Sequence, residues 1–119
     1  SMADDAYVKC LSDLKLTLSD KPRSGGDFEM LDILCPWHEE HTDRVDVGAV
    51  YIIGGGFSCF HGHCIDRTFR DMKDRLRTAY GVDTAALDDA ASAVRERFLL
   101  KGTQALLEKL KIKNKGATR

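Results

Sequence analysis

The chain has 119 residues, 43% hydrophobic and 31% charged, and a formal net charge of −1. That length holds one domain with an appended helical segment and leaves no room for a second enzyme-sized unit. No apolar run approaches the roughly 18 to 20 residues that cross a bilayer, and no basic-plus-apolar leader opens the chain, so the expectation is a soluble protein with reduced thiols.

Residues 4–18 read as a helix, because Tyr7, Leu11, Leu14 and Leu18 recur at three-to-four spacing and Asp4 or Asp5 can cap the start. Cys10 lies on that apolar side and is expected as a buried free thiol. Pro22, Gly25 and Gly26 mark a loop. "FEMLDIL" (28–34) is strand-like and delivers Cys35, with Pro36 arguing against a helix there. "HTDRVD" is loop-like, "VGAVYII" strand-like, glycines 54–56 form a turn, and "FSCF" returns as a second strand. From Asp66 or Thr68 to Tyr80 a helix carries the apolar stripe Phe69, Met72, Leu76 and Tyr80, beside a basic stripe of Arg67, Arg70, Lys73 and Arg77. Gly81 ends it. A last helical region runs from Thr84 to Lys113, with Leu87, Ala91, Val94 and Phe98 one turn apart and Gly102-Thr103 as a candidate break. Three parts result: an N-terminal helix and loop (1–26), a central module (27–81), and a C-terminal helical segment with a basic tail (82–119).

The central module holds every cysteine and histidine except Cys10, all of them between Cys35 and Cys64. Disulfides have no use for interleaved imidazoles, whereas a tetrahedral Zn²⁺ site takes thiolates and neutral histidine nitrogens from two short clusters that a hairpin brings together. "CFHGHC" (59–64) is half of such a site. Adjacent His63 and Cys64 can hardly join Cys59 and His61 around one ion, and Cys35 would then have no purpose. Cys35, Cys59 and Cys64 supply three donors and a histidine the fourth. Spacing alone leans to His38, in a Cys-x2-His knuckle, over His41; His61 and His63 remain for support of the site or for contact with a template. A thiolate-rich set is closed and structural, not catalytic.

"CPWHEEHT" followed by "GGGFSCFHGHCIDRTFRDM" resembles the zinc-binding module that accompanies primases and primase-helicases of phages and other mobile elements. It is similar, more distantly, to the N-terminal zinc ribbon of bacterial replicative primase. The resemblance covers residues 28–80. The bacterial form points to His38 as fourth ligand; the mobile-element form, which "FSCFHGHC" fits better, points to His41. What the resemblance implies is therefore a Zn²⁺ site of Cys35, His41, Cys59 and Cys64, with His38 as the alternate. It also implies an α+β fold, a hairpin-based zinc ribbon flanked by an N-terminal helix and C-terminal helices, in the cytoplasm of a bacterial or phage-infected cell. Its role would be to contact single-stranded DNA template and assist primer initiation by a separate primase catalytic or helicase domain. Arg44, Arg67, Arg70, Lys73 and Arg77 are the candidate phosphate contacts, and Phe60 the stacking face; Trp37, Tyr51 and Phe57 could stack on bases or fill the core.

Catalysis by this chain alone is not expected. The pairs Glu39-Glu40 and Asp88-Asp89 diverge on a helix or strand, and "IIGGGFSC" lacks the Lys and Ser/Thr of a phosphate cradle. The alternative role is a protein-interaction module that docks a replication partner through its C-terminal helix. Acidic residues slightly outnumber basic ones over residues 22–78, unlike most dedicated DNA-binding domains.

Overall fold

The computed structural model describes residues 2–41 and 48–117, with the side chains of His63 and of 112–117 left aside. Helix α1 (Ala6–Asp13) starts where Asp5 Oδ1 accepts the backbone N–H groups of Tyr7 and Val8, at 2.9 and 3.2 Å. It stops at Asp13, well short of the expected Leu18. The N–H of Leu16 bonds back to Leu11 O and that of Lys15 to Ser12 O, while Lys15 takes a φ of 61°. This is the Schellman termination, with a lysine in the left-handed position that glycine usually fills. Beyond it the chain runs extended along the sheet, through Leu18 N–H to Asp32 O and Leu34 N–H to Leu16 O, which leaves Leu18 half exposed. Cys10 is only partly covered, not buried as expected, because the core takes the Tyr7, Val8 and Leu11 side of the helix.

Four antiparallel strands follow in the order β1-β2-β3-β4: Arg23–Ser24, Glu29–Ile33, Ala49–Ile52 and Gly56–Cys59. The two-residue β1 falls in the expected loop. Arg23 pairs with Met30, and its guanidinium meets the Asp32 carboxylate at 3.1 Å. In β2 and β4 the inward positions Leu31, Ile33, Phe57 and Cys59 are buried, the period-two signature of a half-buried sheet. The tight β3–β4 turn uses Gly54 and Gly55 at φ of 106° and 122°, which a β-branched or bulky residue would resist.

Helix α2 (Phe69–Ala79) opens on a capping box in which Thr68 and Asp71 satisfy each other's backbone N–H groups, and it closes at Gly81 with a φ of 67°. Met72 and Leu76 point into the core with Tyr7, Leu11, Leu31, Ile33 and Tyr51. Helix α3 (Thr84–Ala117) is 34 residues long and spans about 50 Å at 1.5 Å per residue. It runs through Gly102 without a break. The described residues form an α+β fold, with a four-stranded antiparallel sheet and three α-helices.

Candidate metal centre

The strand register decides what meets at one end of the sheet. Ile33 of β2 lies opposite Ala49 of β3, and Ala49 lies opposite Cys59 of β4, so Cys59 and the residues just past Ile33 come to the same edge. Two short turns then fold the flanking segments over. One is His38–Glu40, where the N–H of His41 reaches His38 O at 3.1 Å; the other is Gly62–Cys64, where the N–H of Cys64 reaches His61 O at 2.8 Å. Arg75 Nε and Tyr80 Oη both donate to Pro36 O at 3.1 Å, which fastens the first turn to α2.

These turns bring Cys35, His41, Cys59 and Cys64 together, with one donor atom from each lying within 4.8 Å of all the others. Cys35 Sγ is 3.7 Å from Cys64 Sγ, and His41 Nε2 is 3.5 Å from Cys64 Sγ. The three sulfurs belong to side chains that are 1–2% exposed. The four residues could hold a metal ion. His38 is outside this group. Burial pushes the Cys35 thiol well above its ordinary range, and neighbouring Cys59 adds to that while the Trp37 backbone N–H opposes it; burial likewise raises Cys59. Thiols so placed hold their protons until a cation compensates the charge.

Around the four, His61 sets Nδ1 at 3.2 Å from Cys59 Sγ and lays its ring 4.1 Å from that of His41. Gly48, at φ of 107°, makes room for it, since a β-carbon there would come within 3.3 Å of the His61 ring. Arg67 donates from Nη1 to Cys64 Sγ at 3.4 Å, stacks 4.1 Å over the Trp37 ring, and reaches Glu40 Oε1 at 3.5 Å.

The expected nucleic-acid contacts scatter. Arg67 is turned into the cluster, and Lys73 is held by Asp88 at 3.2 Å and lies over the Phe69 ring. Arg77 is exposed and meets Asp74 at 3.6 Å; Arg70 is exposed. Phe60 is 72% exposed, whereas Trp37, Tyr51 and Phe57 are core residues. Arg44 lies outside the described residues, as does the side chain of His63. Support of the site by His61 is one of the two roles expected for it, whereas the thiol contact of Arg67 went unforeseen; the one available signal was the short Cys64-x2-Arg67 turn.

No protein family, no curated protein and no solved structure matches this chain. Among the described residues, no helix is long and apolar enough to cross a membrane.

Proposed function

We propose that the cluster is a closed, structural Zn²⁺ site and that the module built on it binds single-stranded nucleic acid. Tetrahedral zinc with Zn–S near 2.3 Å and Zn–N near 2.0 Å has S···S edges of about 3.8 Å and S···N edges of about 3.5 Å. The separations of 3.7 and 3.5 Å at Cys64 fit those edges. Three thiolates and an imidazole suit this soft-to-borderline ion and not Mg²⁺ or Ca²⁺. On this reading the sheet is a zinc ribbon extended by two strands.

The observation that carries the binding role is Phe60, 72% exposed directly after a cluster cysteine. A ring anchored on a metal-held turn is a rigid stacking platform, and exposed Arg70 and Arg77 on α2 are available to phosphates. Within that class, the resemblance of the two Cys/His motifs to primase zinc modules supports a role in a primase system, holding template for a separate catalytic or helicase domain.

Fluorescence anisotropy with a labelled single-stranded oligonucleotide tests this on the zinc-loaded chain. Binding should weaken with salt, disappear on chelation, and fall by about 5- to 100-fold in Phe60→Ala. Absent or salt-insensitive binding by the zinc-loaded chain overturns the reading.

A further inference from the structure

More donors surround the cluster than a tetrahedral ion uses. Beside Cys35, His41, Cys59 and Cys64, His61 brings Nδ1 to 3.2 Å from Cys59 Sγ, close to the S···N edge of a zinc tetrahedron, about 3.5 Å. Its ring also lies against that of His41, with centroids 4.1 Å apart and planes 34° from parallel. Both imidazoles are partly exposed, whereas the three cysteines are buried. The backbone around His61 is pinned on both sides: the N–H of Phe60 reaches Gly48 O at 3.2 Å, and that of Cys64 reaches His61 O at 2.8 Å. Only rotation about the side-chain bonds is left to move the ring. A ring that served Cys59 alone would need only the sulfur. This one also abuts the imidazole whose departure would open a position on the metal.

We propose that His61 is a reserve ligand, which takes the fourth position on the metal when His41 leaves it. The inference rests on the Zn²⁺ site proposed above. A single residue separates His61 from Cys59, and the nitrogen turned to the sulfur is Nδ1, the one nearer the backbone and so the one suited to a short span. The exchange preserves the donor set, three thiolates and one imidazole, so the charge of the site and the Arg67 contact with Cys64 are undisturbed. The proton count also balances. While it supports the Cys59 thiolate, the neutral ring donates from Nδ1; to ligate, Nδ1 gives up that proton to water and Nε2 gains one from water, and the ring stays neutral. His61 is outside the four-donor group, so its ring must swing inward to bind. Gly48 leaves the space for that movement, since a β-carbon there would stand 3.3 Å from His61 Cε1.

Titration of the full chain with Co²⁺ and Zn²⁺, with the imidazole nitrogens read by nitrogen-15 NMR, tests the proposal. In the unaltered chain His41 Nε2 should carry the metal-bound shift and His61 should not. His41→Ala should still take up metal in a tetrahedral environment of three sulfurs and one nitrogen, about 10- to 100-fold more weakly. In that variant His61 Nδ1 should carry the metal-bound shift, with the proton on Nε2. Adding His61→Ala to His41→Ala should cost about 100-fold more, near one ligand's share of the binding free energy of a four-ligand site, and should alter the cobalt bands as water fills the position. Adding His38→Ala instead should change neither. A His41→Ala chain that holds no metal, or one whose binding is indifferent to His61→Ala, overturns the proposal, as does ligation by His61 in the unaltered chain. An unaltered chain that binds no metal overturns the zinc site and this inference with it, whereas loss confined to His41→Ala overturns the inference alone.

Discussion

Arg67 serves the cluster, though as a sequence position it reads as one basic residue in a helix-side stripe. With a divalent cation bound, three thiolates would leave one negative charge in a buried place. Arg67 would offset that charge through its contact with Cys64, and is itself steadied by Trp37 and Glu40. Arg67→Ala should speed loss of metal to a competing chelator by about 10- to 100-fold while the loaded chain keeps its fold. Arg67→Lys should recover only part of this, since an ammonium cannot stack flat on the indole while donating sideways. Residue chemistry made the three clustered cysteines legible, because thiols interleaved with imidazoles have few uses. Spacing leaned to His38, whereas the cluster takes His41. The turn of His38–Glu40 faces His41, not His38, toward Cys64, and that reversal is a backbone event invisible in the count of intervening residues. Arg67 escaped for a related reason: sequence reveals its charge but not the sulfur 3.4 Å away.

The elements follow local rules where those rules are strong. Thr68 with Asp71 starts α2 and Gly81 ends it, and both signals are plain in the sequence. The end of α1 was not legible, since its apolar spacing runs on to Leu18 while the backbone turns at Lys15. A left-handed conformation costs a residue with a β-carbon about 1 to 2 kcal/mol, partly offset by the greater chain entropy of glycine. Lys15→Gly should therefore raise stability by about 0.5 to 1 kcal/mol, seen as a higher denaturant midpoint at unchanged slope. The two-residue β1 gives no pattern to read. Gly102 failed as a helix break because one glycine costs only about 1 kcal/mol against alanine.

At the scale of the molecule, one cluster ties the end of β2 to the end of β4 at one edge of the sheet. A structural zinc site contributes on the order of 10 kcal/mol, as much as the whole stability of a typical small domain. Chelation should accordingly unfold the sheet. The single tryptophan, Trp37, packs at 5.8 Å against Phe57 and is 7% exposed, so its emission should shift to the red as metal leaves. Retained buried emission in a metal-free chain would count against a structural site. Alkaline pH acts elsewhere. Burial and the carboxylates of Asp88 and Asp5 raise the Tyr7 and Tyr51 phenols above their ordinary 10.0, so the folded chain keeps protons that the unfolded chain gives up. The contribution of these two phenols to the stability of the metal-loaded chain should be level up to about pH 10 and decline above it, with a shallower decline in Tyr51→Phe, as thermal melts across that range would record.

Asp5 does more than start a helix. Its carboxylate accepts from Tyr7 and Val8 within α1, from the Tyr51 hydroxyl at 2.7 and 2.8 Å, and from the Gly54 N–H at 2.9 Å in the β3–β4 turn. Those last partners lie 46 and 49 positions along the chain. Such a clasp closes only after helix and hairpin have each formed and docked, so it belongs to the native side of the folding barrier. Asp5→Ala should then hasten unfolding and leave the refolding rate nearly untouched, a separation that stopped-flow chevrons resolve. The first residues of the chain thus govern how long the fold lasts more than how quickly it is reached.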